Sequence, residues 1–308
     1  MKKAAFLILC FILLLTACSG KDAESSAPVE ESQIRYRPTV VYYADSNGLI
    51  VPVMREIPWE EGIGKAALNL LTMTDKNVSA AASFGLSPTL PKDATFTLRI
   101  AEDGTATVSV FNMGEFESAA QEKNAVISIV NTLTEFSTIE RVVILPGGKE
   151  VDELSFGTDI SKAVSTVSLN PESVTTSAGS GEMQSMALYF PNYESTLNVP
   201  VTRQTDGEVT LEKAVEEFVK GPGQIDALRS CFPQDTALLS VTVEGGVAVI
   251  DLSSQAEGLR EHPLLEQRAM ECAALVCHEF GVPSVSFKVE GKDYGDMPVS
   301  TPMYVNYK

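Results

Sequence analysis

Apolar residues along the chain follow two rhythms, and the rhythms come in the same order twice. In the first half, short apolar runs at 40–43 and 49–54 read as strands. Ile63, Ala66, Ala67 and Leu70 then fall at helical spacing and predict a helix over about 59–71. Alternation returns at 95–100 and 106–111 around Glu102-Asp103-Gly104, the pattern of a hairpin. Val126, Ile129, Val130, Leu133 and Phe136 make the stripe of a second helix over about 118–136. A last strand at 142–145 ends in Pro146-Gly147-Gly148.

The second half repeats this plan with clearer punctuation. Strands at 187–190 and 198–202 precede Thr210, a helix cap, and a face of Leu211, Ala214, Val215, Phe218 and Val219 stopped by Gly221-Pro222-Gly223. A hairpin at 238–243 and 247–252 turns at Glu244-Gly245-Gly246. Pro263 opens a second helix whose stripe is Leu265, Ala269, Cys272, Val276 and Phe280; Gly281 ends it and 285–289 is the last strand.

The correspondence extends to residues. VVYYADSNGLIVPVMR (40–55) matches ALYFPNYESTLNVPVTR (187–203), so Val51-Pro52-Val53 and Arg55 fall on Val199-Pro200-Val201 and Arg203. Pro91 falls on Pro233, and the segments starting at Asp103 and Thr134 fall on those starting at Gly245 and His278, with the offset held between 142 and 148. This order is the mark of a tandem duplication. Each copy has a β-α-β-β-α-β core, which predicts an α+β fold: two small sandwich domains, each with helices against an antiparallel or mixed sheet. The domains are expected at 36–160 and 186–308, joined by a Ser/Thr-rich linker over 161–185 that can dock through Val164, Val167 and Leu169.

The N-terminus carries a different pattern. Lys2 and Lys3 precede an uncharged run from Ala4 to Ala17, which suits a signal peptide over 1–17 and is too short for a comfortable membrane span. Leu15-Thr16-Ala17-Cys18 resembles a bacterial lipobox, which makes Cys18 the expected lipidation site, carrying acyl groups such as palmitate. Residues 18–35, rich in Ser, Glu, Ala and Pro, read as the lipidated cysteine and a flexible tether. The expected location is the extracytoplasmic face of the cell membrane, held there by lipid.

These residues together resemble the GerM domain family. The second copy carries the match best, through Leu188-Tyr189-Phe190, Val199-Pro200-Val201, Arg203, Gly221-Pro222, Gly246, Asp251-Leu252-Ser253 and Gly291. Copy one departs from it: Leu71-Thr72-Met73 replaces the Gly-Pro stop, and Ser109-Val110-Phe111 replaces Asp251-Leu252-Ser253. The resemblance implies a core like the ring-building motif of secretion-system rings. It also implies a lipoprotein of spore-forming Gram-positive bacteria that acts in sporulation and germination. Its place would be between mother-cell and forespore membranes, near peptidoglycan and a secretion-like channel.

Composition narrows the chemistry. The 308 residues hold 23 Lys+Arg against 41 Asp+Glu, a net charge of −18, and only two histidines. Removing the signal takes two basic residues and no acid, so the charge would fall to −20. Such acidity argues against nucleic acid, whose binding needs cations against phosphate. No P-loop, GxGxxG, HExxH, CxxC or GxSxG occurs. Asp251, Glu290, Asp293 and Asp296 could cluster, but scattered acids are expected in so acidic a chain, and Trp59, the single tryptophan, lies in the other copy. Asp293-Tyr294-Gly295-Asp296 offers two carboxylates where calcium wants six to eight ligands. No catalytic residue, metal or cofactor is expected.

Three cysteines remain after Cys10 and Cys18. Cys272 and Cys277, five apart on a helix, point too far apart to bridge, so buried free thiols are expected, with a bridge from Cys231 as the alternative. The candidate partner-binding residues are Arg203, Asp251 and Arg55. For either arginine the structural reading, an ion pair with an acid on the adjacent helix, is favoured over a free carboxylate-binding site. Asp251 reads as a cap on the turn leaving its strand, with Ser253 and Ser254 as partners. The expected function is that of a non-enzymatic adaptor or assembly factor binding envelope or sporulation-channel proteins. The alternative is a protein that binds peptidoglycan or remodels the wall.

Overall fold

The computed structural model describes residues 35–59, 62–172 and 183–307. The expected signal peptide, Cys18 and most of the tether lie outside the described residues, as do 173–182 of the expected linker. Arg35 to Lys308 form a single compact unit.

Copy one opens with a hairpin of two nine-residue strands, β1 (Tyr36–Ala44) and β2 (Ile50–Pro58). Helices α1 (Ile63–Asn69) and α2 (Asp75–Ala82) follow, then β3 (Thr95–Ile100), β4 (Thr105–Phe111), α3 (Ala119–Thr134) and β5 (Arg141–Pro146). β3 runs antiparallel to β4 and β5 parallel to it, so the sheet is mixed. The parallel pair requires a crossover, which α3 supplies. Copy two repeats the order with β6 (Met183–Pro191), β7 (Asn198–Asp206), α4 (Leu211–Lys220), β8 (Leu238–Glu244), β9 (Val247–Leu252), α5 (Pro263–His278) and β10 (Ser284–Val289). Its additions are a 3-10 helix (Ser254–Glu261) and two short strands on β10, β11 (Lys292–Asp293) and β12 (Val299–Ser300).

Three departures from the sequence reading have local causes. The first helix starts at Ile63 and not near Trp59, because β2 continues to Pro58 and Gly62 sits at φ +83, a left-handed conformation that a helix cannot contain. It ends by Leu70, and a separate helix, α2, starts after Thr74, whose hydroxyl accepts the Asn77 amide. The first hairpin of each copy forms its own two-stranded sheet and does not join the other strands.

That last difference changes the burial of the second helix. α3 was expected to bury one stripe, yet the run from Ala125 to Leu133 is buried on every side. Its stripe faces β5, while Ile127 packs against Tyr42 and Ile50 of the hairpin and Thr132 accepts the Tyr42 amide. The helix is therefore the filling between two β layers, and α5 has the same position between β6 and β10. Equivalent tyrosines tie the hairpins to the helix ends: Tyr42 donates to Glu135 at 2.5 Å and Tyr189 to Glu279 at 2.8 Å, and burial raises both phenols' pKa.

The two copies meet along β2 and β7 through a reciprocal device. Asn170, after copy one, accepts the Ile50 amide and donates to the carbonyls of Ile50 and Pro200, each at 2.8 Å. Asn306, after copy two, accepts the Asn198 amide and donates to the carbonyls of Asn198 (2.8 Å) and Pro52 (2.9 Å). Ile50 matches Asn198 and Pro52 matches Pro200 in the repeat, so each asparagine grips its own copy and reaches for the other's proline. The linker adds to this seam where Leu169 accepts the Thr202 amide; further back, Val164 docks on copy one's own sheet by pairing with Val142 of β5.

Candidate binding site

Arg203 is the most elaborate polar node among the described residues. β7 carries it beneath α4, with its guanidinium over Phe190, 5.9 Å from the ring centroid. Nε and Nη2 form a two-pronged contact with the Glu172 carboxylate. Nη1 donates to the carboxylate and the carbonyl of Glu217, at 3.0 and 2.8 Å, and Nη2 also reaches the Gly221 carbonyl at 2.7 Å. A guanidinium has five N–H donors, and all five are engaged. Arg203 thus caps the end of α4 and ties residue 172 to it. Its side chain is 11% exposed. It has no donor left for an outside carboxylate, so the structural reading holds here, with Glu172 as a partner beyond the expected helix acid.

Arg55 occupies the matching place with different chemistry. It donates to the Ala80 carbonyl of α2 at 3.3 Å and lies over Phe84, and among the described residues no carboxylate comes within ion-pair range. The expected ion pair is not formed by any described acid; Glu60 and Glu61, the acids of the helix as read from sequence, lie outside the described residues. α1 has only seven residues and brings no acid to it, whereas α4 brings Glu217 to Arg203.

Asp251 ends β9 and accepts the Gly291 amide at 3.0 Å, holding the turn after β10. The expected cap on the turn leaving β9, with Ser253 and Ser254 as partners, is therefore corrected: β10 lies beside β9 and brings the Gly291 amide within reach. Ser253 instead accepts the Ala237 amide, and Glu290 accepts that of Ser254. Asp251, Glu290 and Asp293 thus each hold local structure, with Asp293 3.9 Å from Lys288, and the candidate sites Arg203, Asp251 and Arg55 do not converge. Among the described residues no cluster of three or more His, Cys, Asp or Glu is placed to hold a metal. Cys231, Cys272 and Cys277 are buried and free. Burial pushes the Cys277 thiol up to about 12, which keeps it protonated and unreactive.

The sequence reading missed two features that depend on tertiary contact. One is the asparagine seam. The other is a groove in each copy, of about 500 Å³ beside α3 and about 470 Å³ beside α5.

Comparison with known proteins gives this arrangement a family. A model described as "Germane: Sporulation and spore germination" matches 40–152 and 187–295, one match per copy. The chain belongs to the Germane family. Spore germination protein GerM of Bacillus subtilis is 29% identical over 94% of this chain and 84% of its own length. The solved tandem GerMN domains of the sporulation protein GerM from Bacillus subtilis superimpose with a TM-score of 0.69 at 29% identity, covering 89% of this chain and 99% of theirs. The α+β tandem architecture is thus that of Germane proteins, and the general role in sporulation and germination comes with the family.

Proposed function

We propose that this Germane protein is a non-enzymatic, lipid-anchored adaptor that helps assemble an envelope complex between mother cell and forespore. The observation that carries the reading is the reciprocal seam. It locks two domains into one unit while β3 and β8, equivalent strands, each remain the outer strand of a sheet. An outer strand presents unpaired backbone groups, and adding a partner's strand is a common way for such domains to bind. Two such edges at a fixed relation suit a part that holds other parts in register.

Anchoring is tested by labelling with a palmitate analogue and fractionating sporulating cells. The wild-type chain is expected in the membrane fraction with label, and Cys18→Ser unlabelled and outside it. A wild-type chain without label would overturn the anchor. The adaptor is tested by pull-down of the tagged full chain beside sedimentation with insoluble peptidoglycan. Recovery of defined membrane-complex subunits without sedimentation is the expected result, and sedimentation with wall material alone would replace it with the wall-binding alternative.

A further inference from the structure

The grooves beside α3 and α5 are the same groove in two versions. Both lie between the loop that follows the first helical region and the approach to the second helix. Counted from the helix starts at Ala119 and Pro263, Gly114 falls on Gly258, and each packs against the matching proline. A Cβ on Gly114 would come within 2.8 Å of Pro91, and one on Gly258 within 3.1 Å of Pro233. A close contact of glycine and proline therefore borders the groove in both copies, although Gly258 lies in the 3-10 helix that copy one lacks and Gly114 has φ +77.

The linings differ in a telling way. In copy two, Leu259 and Leu265 are buried where copy one has the exposed Glu115 and Gln121, and Arg229 stands at the place of Ser87. Copy one's groove has an apolar floor of Pro88, Pro91 and Phe116, and Met73 beside it is 45% exposed, a flexible side chain suited to packing on an incoming group. Asp45, Glu115 and Glu117 stand at its rim, and among the described residues no lysine or arginine lines it; Asp45 accepts from Asn47 and Leu49, and Glu117 from Gln121, so their charge is not neutralised. Lys92, next to Pro91 in sequence, is engaged with Asp75 at 2.9 Å. Thr89 Oγ1 in the wall is shielded from water and has no hydrogen-bond partner among the described residues, the kind of unsatisfied group that calls for an explanation.

We infer that copy one's groove binds a protein segment carrying a large apolar side chain flanked by lysine or arginine. The apolar floor takes the side chain and the carboxylate rim takes the flanking cations, a complementarity that copy two, with Arg229 and two leucines, has lost. The inference rests on the adaptor reading and names the chemistry of one contact.

The test is an anisotropy titration of the soluble chain, residues 19–308, with a fluorescein-labelled hexapeptide in which leucine-phenylalanine is flanked by two lysines on each side. Saturable binding is expected. The double variant Glu115→Lys, Glu117→Lys should weaken it at least tenfold, and Met73→Gln about fivefold. Glu117→Lys alone should weaken it about threefold, whereas Glu261→Lys, the same charge change at the matching site of copy two, should alter it less than twofold. Unchanged circular dichroism melting in each variant removes misfolding as a cause. No saturable binding, or equal weakening by Glu261→Lys, would overturn the groove. Recovery of membrane-complex subunits in the pull-down would stand independently of either result.

Discussion

Arg203→Met should lower the free energy of unfolding by about 3–4 kcal/mol, measured by urea denaturation at neutral pH. Methionine keeps much of the packing over Phe190 but strands the Glu172 carboxylate in a site where water is scarce, while Glu217 keeps Lys213 and Lys220. Breaking a buried ion pair by removing one member typically costs 3–5 kcal/mol, because the remaining charge is left without compensation. Arg203→Lys should cost less, since an ammonium keeps the charge but cannot reproduce the planar fork to Glu172. Arg55→Met removes one bond to a carbonyl and should cost about 1 kcal/mol. Equal losses at the two arginines would refute the assignment of Arg203 as an ionic node.

The same node gives the acid response a sign. Burial acts to raise the Glu217 carboxyl, but hydrogen bonds from Lys220, Lys213 and Arg203 outweigh it and hold the pKa below the ordinary glutamate value. A group whose folded pKa is depressed contributes stability in full above its unfolded pKa, about 4.3, and loses it as pH falls through the folded value. The gap between wild type and Arg203→Met is therefore expected to be widest at neutral pH and to narrow below about pH 4 as the Glu217 carboxylate protonates.

Asn306→Ala is expected to cost at least about 3 kcal/mol and to change the form of unfolding as well as its midpoint. The substitution leaves the Asn198 amide and the carbonyls of Asn198 and Pro52 without their partner in a buried seam, each such loss being worth about 1–3 kcal/mol. Wild type should melt in one calorimetric transition, whereas Asn170→Ala with Asn306→Ala should broaden or split it as the two copies come apart. Neighbouring members of one network rarely add independently, so the double variant should depart from the sum of the singles. A single, sharp transition shifted by under 1 °C in the double variant would show that the seam does not couple the copies.

The elements that were legible in sequence are those specified by their own residues. Thr210 and Pro263 mark the starts of α4 and α5 without help from elsewhere, and the hairpin of β3 and β4 announces itself by alternation around Asp103-Gly104. What escaped depended on distant partners. The apolar pattern of α3 shows its stripe, but nothing local shows that Tyr42 and Ile50, some eighty positions earlier, cover the opposite face. Arg55 and Arg203 look alike in sequence because Val-Pro-Val precedes both. Their fates diverge with the length of the following helix and with Glu172, which sits in a stretch that reads as linker. Asn170 and Asn306 give no signal at all, since an asparagine after a strand is ordinary turn material. The acid rim of the first groove is likewise invisible until the fold brings residue 45 to residues 115 and 117.

The exchange of Asn170 and Asn306 across the seam has the self-matching form of a two-fold homodimer contact, written into one polypeptide. A pair of separate protomers would associate only as far as their concentration allowed, while covalent linkage fixes an effective local concentration in the millimolar range. The relation between the two copies is therefore independent of dilution. A single molecule in dilute solution presents the same paired surface as one among many copies.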